Sequence, residues 1–237
     1  MIQKIEVDYG GTWTRIRAWG HYGRTLRFLR LRSEPLAFLC KNLSAVFRRW
    51  NLKLLPHLVI GAKSVWTLRE KARLLKQVQN LAKKVEIMSD VELAYRKAFG
   101  KNSGILILAG TGSIALSRNK NGKTARAGGL GPARGDEGSG YWIGKVYNKR
   151  VLKNRKKKSV QNLAALAPRV IRLAQAGNPA SKKIIEEAQT HLARLVLSVQ
   201  RQLNEKSLKV RLAGGLFENA YFRKGFLNLL RSADAAL

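Results

Sequence analysis

Residues 104–142 read GILILAGTGSIALSRNKNGKTARAGGLGPARGDEGSGYW. The apolar run 105–108 predicts a buried strand, and that strand stops at Gly110-Thr111-Gly112. Glycines on both sides of a threonine let the backbone turn sharply and bring its N–H groups close to an anion. The pattern that follows predicts two further antiparallel strands, over 114–118 and 123–127. This β-meander either holds a phosphate at its first turn or is an ordinary hairpin, and the local pattern leaves both interpretations open.

A second glycine-rich segment follows the meander. It contains Gly128-Gly129-Leu130-Gly131 and then Gly135-Asp136-Glu137-Gly138-Ser139. Two adjacent acids are unusual in a chain that has 14 Asp and Glu against 46 Lys and Arg. The acidic pair in a glycine-rich loop indicates a cationic or hydroxylated ligand, and a loose structural loop is the alternative.

The composition is typical of a globular protein with room for one large or two modest domains. The chain has 237 residues, of which 45% are hydrophobic and 25% are charged. No apolar run approaches the roughly 20 residues of a membrane span, and the first residues show no signal-peptide pattern. The single cysteine, Cys40, excludes an intramolecular disulfide and a Cys-only metal or iron–sulfur site within one chain. We therefore expect a cytoplasmic protein that does not bind membranes.

The formal net charge of +32 is the exceptional property of the chain. A basic field attracts phosphates, so nucleic-acid binding is one interpretation. The charges are spread along the chain, however, and the densest cluster, residues 153–158, is typical of a solvated loop. A basic proteome or a general preference for anions is the interpretation that we favour, and it predicts only non-specific binding of nucleic acid.

The N-terminal segment predicts three antiparallel strands with a ligand-binding pattern at the first turn. The first strand ends at Asp8, and the turn contains Gly10-Gly11-Thr12. Asp8 is suited to hold Mg²⁺ or its water, while the turn N–H groups and the threonine face phosphate oxygens. A plain hairpin turn is the alternative, because Asp and Gly are common in turns.

Two later segments have candidate functional residues at the end of a predicted strand. Asp90 lies between a strand and a helix, where open α/β sheets bind ligands, so it is either a general base or a helix N-cap. We expect the surrounding Lys and Arg residues to keep it ionised. Gly214-Gly215 follows a predicted strand over 209–213 and suggests close approach of a base or ribose, although tight packing also explains it. The periodicity also predicts long helices over 68–84 and 160–176.

Taken together, these motifs stand in the order seen in a known family. The chain resembles the N-acetylglucosamine kinase / BadF-BadG-BcrA-BcrD ATPase family of the actin-like ATPase and sugar kinase superfamily, and the resemblance runs from residue 4 to about 230. The matching motifs are Asp8-x-Gly10-Gly11-Thr12-x-Thr14, Ser89-Asp90, Gly110-Thr111-Gly112-Ser113, the stretch GDEGSGYWIG over 135–144, and Gly214-Gly215-Leu216-Phe217-Glu218-Asn219.

The resemblance implies an α/β fold with two ribonuclease-H-like domains, residues 1–102 and 103–237, that close on ATP and Mg²⁺ in an interdomain cleft. Asp8 would organise the metal, and Asp90 would be the catalytic base. The residues implied to contact ATP are Gly10, Gly11, Thr12, Gly110, Thr111, Gly112, Gly214 and Gly215. The residues implied to bind the sugar are Asp90, Thr111, Gly129 and Asp136.

The expected function is ATP-dependent transfer of the γ-phosphoryl group to a hydroxyl of an amino sugar, N-acetylglucosamine or a glucosamine-like compound, by a homodimer. Relatives carry additional residues after the third strand in a loop that grips the sugar, whereas here Ser33-Glu34-Pro35 leads directly into a helix. The identity of the sugar therefore stays open. The alternatives are an ATPase of the same family without kinase activity, acting as an activator or regulator, and a basic nucleic-acid-binding protein. Cys40 alone does not supply the cysteine pair of the activator branch.

Overall fold

The structure is a computed structural model that describes residues 1–52, 55–153, 158–205 and 208–235. Most of the basic cluster 153–158 thus lies outside the described residues. The chain divides into two compact units, Met1–Lys97 and Ala98–Leu237. The assignment of actin-like ATPase domains to residues 1–102 and 103–237 stays a prediction.

The first unit is built on a mixed five-stranded sheet. Its strands lie in the spatial order β3-β2-β1-β4-β5, where β1 and β2, and β2 and β3, are antiparallel, and β4 is parallel to both β1 and β5. The strands are β1 (Lys4–Tyr9), β2 (Trp13–Trp19), β3 (Thr25–Arg32), β4 (Leu55–Ala62) and β5 (Ala82–Ser89).

Three helices accompany this sheet: α1 (Leu39–Arg49), α2 (Leu68–Val78) and α3 (Asp90–Phe99). Alternation along β2 turns Ile16 and Ala18 toward the core, where they join Leu43 and Phe47 of α1 in one apolar cluster. The second helix starts at a capping box, in which Thr67 and Glu70 exchange side-chain-to-backbone hydrogen bonds. The core of this unit therefore lies under α1 and α2, and it leaves the carboxyl ends of β1, β4 and β5 at one edge.

The second unit repeats this strand arrangement with one strand fewer. Its four-stranded sheet has the order β8-β7-β6-β9, with antiparallel β6-β7 and β7-β8 pairs and a parallel β6-β9 pair. The strands are β6 (Gly104–Ala109), β7 (Ser113–Arg118), β8 (Thr124–Gly128) and β9 (Val210–Ala213). The meander predicted from residues 104–142 is confirmed as β6-β7-β8.

Helices supply most of the core of the second unit. They are α4 (Gly140–Arg150), α5 (Val160–Ala164), α6 (Ala167–Gln175), α7 (Pro179–Leu203) and α8 (Ala220–Ala235). The long helix α7 places Ala188, Leu192 and Val196 in the core at helical spacing. A Cβ on Gly144 would lie 1.8 Å from the Leu163 carbonyl oxygen, so this glycine lets α4 pack against the backbone of α5.

Two predicted helices differ in the structure. The helix expected over 68–84 ends at Val78, because residues from Ala82 onward pair with β4 at the edge of the sheet. The helix expected over 160–176 is divided into α5 and α6, since Pro168 lies in the first turn of α6 and lacks the N–H of a continuous helix.

Candidate active site

The carboxyl ends of three parallel strands meet in the first unit. Asp8 of β1 is paired in register with Gly61 of β4, and Gly61 is paired with Met88 of β5. A Cβ on Gly61 would lie 2.5 Å from Leu93, so the glycine lets α3 lie directly over β4. Asp90 opens α3 immediately after β5. The sheet register thus brings Asp8 and Asp90 to the same edge, where open α/β sheets bind ligands.

Asp8 is partly exposed, with 29% of its side-chain surface accessible. Arg15 and Lys97 lie 3.6 and 3.9 Å from its carboxylate, beyond hydrogen-bond distance. Lys97 instead contacts Glu6 at 2.9 Å. Asp8 therefore keeps oxygens that can accept a ligand, and Mg²⁺ is commonly bound by one or two carboxylates together with substrate phosphates. The described residues contain no group of three or more His, Cys, Asp or Glu side chains that could hold a metal ion by themselves.

Asp90 is not the cap of α3. Ser89 has that role, because its Oγ accepts the Glu92 N–H at 3.1 Å and Glu92 accepts the Ser89 N–H at 2.6 Å. The Asp90 carboxylate accepts the Val91 N–H at 3.0 Å. The interpretation of Asp90 as a simple N-cap is therefore wrong, and its side chain is available for another task.

The electrostatic surroundings of Asp90 also differ from the expectation. Burial raises the pKa of Asp90 and the nearby Asp8 carboxylate raises it further, while the Val91 N–H and the Lys63 ammonium oppose the shift. We expected surrounding Lys and Arg residues to favour the ionised form, but burial and Asp8 outweigh them. A carboxylate with a raised pKa is a stronger base than an ordinary aspartate.

The first glycine turn, Gly10-Gly11-Thr12, joins β1 to β2. The Gly10 N–H donates to the Trp13 carbonyl at 3.1 Å, and the Thr12 carbonyl accepts the Ser33 N–H at 3.1 Å. Gly11 and the Thr12 side chain are exposed. The turn is thus held at both ends while its tip remains accessible.

Lys63 is a residue of this edge that the sequence reasoning missed. It follows β4 directly, and its N–H donates to the Tyr9 carbonyl at 2.8 Å. Its Nζ lies 2.9 Å from the point where a Cβ on Gly11 would stand. The sequence motifs did not point to Lys63, because its place beside Gly11 depends on the register of β1 against β4.

The second glycine turn, Gly110-Thr111-Gly112, joins β6 to β7. The Gly110 N–H donates to the Gly112 carbonyl at 2.9 Å. The carbonyls of Gly110 and Thr111 accept the N–H groups of Gly140 and Tyr141, at 2.7 and 3.3 Å. The first residues of α4 therefore fix this turn, and the Thr111 side chain stays exposed.

Asp136 lies against this second turn. Asp136 is buried and has a left-handed backbone conformation, with φ 61°. Its Oδ1 accepts the Ser113 N–H at 3.4 Å. A Cβ on Gly112 would lie 3.1 Å from the same carboxylate. Gly129 also reaches this turn, since its N–H donates to the Ser113 carbonyl at 2.8 Å. The structure thus brings Gly110–Gly112, Gly129 and Asp136 together within the second unit.

The two glycines after β9 have different surroundings. Gly214 has φ 96°, and a Cβ there would lie 2.3 Å from the Ala109 carbonyl oxygen. Tight packing against the end of β6 therefore explains Gly214. A Cβ on Gly215 would meet no atom within 4 Å, so the backbone at Gly215 borders open space.

The short segment after β3 folds onto the first hairpin. The Tyr9 hydroxyl donates to the Glu34 carbonyl, Asn42 donates to the Glu34 carboxylate at 2.9 Å, and the Ser33 and Thr14 hydroxyls lie 3.0 Å apart. Tyr9, Thr14, Glu34 and Asn42 line a cavity of about 10 Å³, which holds no more than one water. The segment is therefore packed against the hairpin and is not an extended loop.

No helix in the described ranges of the chain is long and apolar enough to cross a bilayer.

Comparison with known proteins gives a family and a fold. The sequence pattern of the BadF/BadG/BcrA/BcrD ATPase family matches residues 77–236, which is more than half of the chain. A crystal structure of a candidate N-acetylglucosamine kinase from Chromobacterium violaceum superposes with a TM-score of 0.78 at 22% identity, and covers 98% of this chain and 93% of that one. This likeness shows an α/β fold with mixed sheets.

Two curated relatives are similar in sequence. An N-acetylmuramic acid/N-acetylglucosamine kinase of Clostridium acetobutylicum is 36% identical over 184 residues, which cover 62% of this chain and 60% of that protein. An N-acetyl-D-glucosamine kinase of Dictyostelium discoideum is 32% identical over 168 residues, which cover 56% of this chain and 51% of that protein. The chain thus spans between half and two thirds of the length of the curated relatives that it matches.

Proposed function

The chain belongs to the BadF/BadG/BcrA/BcrD ATPase family, and on this basis we propose that it is an ATP-dependent kinase that phosphorylates a hydroxyl of an amino sugar. The family match confirms the resemblance predicted from the motifs. The names of both curated relatives support an N-acetylated amino sugar as the acceptor.

The observation that carries the proposal is the pair of carboxylates at one sheet edge. Ser89 caps α3 in place of Asp90, whose pKa is raised, and the cationic neighbours of the nearby Asp8 lie beyond hydrogen-bond distance. Phosphoryl transfer needs mainly positioning and neutralisation of charge, so one basic carboxylate and one metal-organising carboxylate are a sufficient set.

In the proposed reaction, Asp90 accepts the proton of the attacking sugar hydroxyl. The hydroxyl oxygen forms a bond to the γ-phosphorus, the bond from that phosphorus to the β–γ bridging oxygen breaks, and ADP leaves. The proton on Asp90 then passes to solvent. Asp136, Gly129 and Thr111 are the proposed contacts of the sugar, together with Asp90.

The nucleotide contacts belong to the same proposal. The turn Gly10–Thr12, Lys63 and the turn Gly110–Gly112 would hold the phosphates, and Gly214 and Gly215 would flank the adenosine. The two-domain actin-like arrangement, in which residues of both units contact one ATP molecule, is the finer part of the proposal. Asp8 would hold Mg²⁺, which neutralises phosphate charge when it is bound.

A coupled assay of ADP release tests the proposal directly. N-Acetylglucosamine, N-acetylmuramic acid, glucosamine and glucose are offered in turn with ATP and Mg²⁺, and formation of the sugar phosphate is followed by mass spectrometry. We expect phosphorylation of at least one amino sugar in preference to glucose. ATP hydrolysis that no sugar stimulates, without any sugar phosphate, would reject the kinase.

One observation favours the second candidate function, an ATPase of this family without kinase activity. The segment Ser33–Pro35 is folded against the hairpin, at the position where the resemblance predicts a longer sugar-binding loop in relatives. The activator version of that alternative is not supported, because Cys40 is the single cysteine of the sequence and cannot supply the pair that this branch uses. The same assay separates the candidates, since a regulatory ATPase hydrolyses ATP and leaves every sugar unmodified.

A further inference from the structure

The outer strands of the first unit carry a face of arginine and aromatic residues. Residues that alternate along a strand point to the same side, and the register pairs Trp13 with Arg32 and Arg17 with Phe28 across the β2-β3 ladder. We define this arginine–aromatic face by the side chains Trp13, Arg17, Trp19, Phe28, Arg30 and Arg32.

The guanidinium groups of this face lie over aromatic rings. The Arg30 guanidinium is 4.0 Å from the centre of the Trp13 ring, and Arg32 is 5.3 Å from the same ring. Arg17 lies over both Trp19, at 5.3 Å, and Phe28, at 5.6 Å. These distances are those of cation–π contacts, so the rings and the guanidinium groups form one continuous surface.

The positive charge of the face is not neutralised by nearby acids. In the part of the chain that the structure describes, Arg17, Arg30 and Arg32 make no ion pair, whereas their neighbour Arg15 faces Asp8 at 3.6 Å. Glu6 of β1, the acid in register with Arg17, contacts Lys97 instead. Three planar cations are therefore available to an external anion.

The face is also exposed. Phe28 retains 52% of its surface and Leu26, beside it on β3, retains 43%. A sheet face open to water is normally polar, and charged side chains are sufficient to protect an edge strand from aggregation. The arginines meet that need, but the exposed ring of Phe28 and the partly exposed ring of Trp13 do not, so these rings require another explanation.

We propose that the arginine–aromatic face binds single-stranded nucleic acid. Unpaired bases stack on aromatic rings and on guanidinium planes, while their phosphates pair with the same guanidinium groups. A duplex hides the faces of its bases, so its bases cannot stack on these rings. An acidic peptide would satisfy the charges but not the rings. The general charge of +32 attracts any polyanion, and this face adds a preference for single strands.

Fluorescence anisotropy of the full chain tests this preference. The probes are a labelled oligothymidylate of about ten nucleotides, within the usual site size, and a labelled duplex of the same length. We expect tighter binding of the single strand at physiological salt. Phe28→Ala should weaken single-strand binding about tenfold, the scale of one stacked base, and leave duplex binding unchanged.

A series of charge substitutions distinguishes binding at the arginine–aromatic face from attraction by the overall positive charge. Arg30→Ala should weaken single-strand binding and reduce the salt slope by about one, while Arg30→Lys, which keeps the charge and the fold, should restore the slope but not the affinity. The control is the exposed double variant Lys182→Ala/Lys183→Ala on α7, which removes more charge and should weaken both probes equally. Equal binding of the two probes by the wild type, loss of both probes in Phe28→Ala, or displacement of the oligonucleotide by polyglutamate as efficiently as by unlabelled oligonucleotide would overturn the proposal.

Discussion

Asp90 is set apart from its neighbouring carboxylates by its contacts. Glu92 contacts Lys71 at 2.8 Å and Glu86 contacts His57 at 2.7 Å, whereas Asp90 makes no ion pair with a described residue. Its position is fixed by the backbone of α3, which Ser89 and Glu92 cap. A carboxylate that is held in place without a cation on it can accept a proton, which is the property that a general base needs.

The variant Asp90→Asn tests this role. Loss of a general base typically lowers kcat about 10²–10⁴-fold, and we expect a fall in that range for the best amino sugar with little change in the affinity for ATP. Thr67→Ala, which removes the cap of α2 and costs about 1 kcal/mol of stability, is the control and should keep kcat. Near-normal turnover in Asp90→Asn, or joint loss of ATP binding and stability, would show that Asp90 is structural.

The raised pKa of Asp90 also predicts how the stability of the protein depends on pH. Burial and Asp8 disfavour the charged form of Asp90, so ionised Asp90 destabilises the folded protein. This destabilisation is complete at pH values above the pKa of Asp90 in the folded protein, and it disappears below the ordinary value of 3.8. Asp90→Asn should therefore raise Tm at neutral pH, and the gain should vanish in acid. Thermal melts of the wild type and the variant across pH measure this difference, and a Tm that falls at neutral pH contradicts it.

Gly214 and Gly215 form a matched pair for testing ligand approach. Gly214→Ala should destabilise the second unit by about 1–3 kcal/mol, because it forces a Cβ onto the Ala109 backbone at a positive φ. Gly215→Ala enters open space and should leave Tm unchanged. If adenosine passes close to this backbone, Gly215→Ala should still weaken adenosine binding in calorimetry. Unchanged affinity in Gly215→Ala would limit the glycine pair to packing.

At the scale of elements, the signals that the sequence contains differ in strength. The meander of residues 104–128 and the strand preceding Asp90 were predictable, because apolar strands and glycine turns are local signals. The end of α2 was not, since Lys83 and Lys84 continue a helical pattern and only pairing with β4 makes them part of a strand.

Candidate site residues follow the same distinction. Ser89-x-x-Glu92 is a capping-box pattern visible in the sequence, and it could have removed the N-cap interpretation of Asp90. The contact of Lys63 with Gly11 could not be predicted, because it depends on the register of β1 against β4. The alternation of β2 and β3 likewise groups Trp13 with Arg17, but it does not say which sheet face the helices leave open.

Glu86 of β5 contacts His57 of β4, Lys84 of β5 and Arg96 of α3. These contacts predict a stability that depends on pH. Burial alone would raise the pKa of Glu86, but hydrogen bonds from Arg96, Lys84 and His57 outweigh it and lower the pKa from 4.5 to about 2. The resulting stability is present above the unfolded value of 4.5 and is lost as the pH falls through about 2.

Glu86→Gln should accordingly lower Tm at neutral pH, by the equivalent of about 1 kcal/mol or less because the group is partly exposed. The difference from the wild type should shrink between pH 4.5 and 2. Glu187→Gln, which breaks a single pair with Arg150, is the control and should have a smaller effect. A neutral-pH Tm equal to that of the wild type would show that the cluster contributes no net stability.

At the scale of the whole molecule, the two units share one construction. In each, a glycine turn follows the first strand of a meander, and that strand also has a parallel neighbour. The first turn has Lys63 and Asp8 beside it, and the second has Asp136 and the start of α4. Repetition of a turn that suits an anion is the physical basis for proposing that one triphosphate uses both.

Paired variants test whether both turns contact the same ATP molecule. Lys63→Met in the first unit and Thr111→Ala in the second each remove one side-chain contact and leave the backbone of the turns intact. A hydrogen bond to a charged group contributes about 1.5–3 kcal/mol, so each variant should weaken ATP binding by roughly tenfold or more. Neither should alter adenosine binding, because adenosine lacks the phosphates that these side chains are proposed to hold.

Lys120→Met, at the opposite end of the meander from the second turn, is the control for lost charge and should bind ATP normally. Calorimetric titration of ATP with Mg²⁺ and of adenosine into each variant gives both affinities. If only one of the two variants loses ATP affinity, the other turn does not contact the phosphates, and the proposal that residues of both units bind one nucleotide fails even where kinase activity is present.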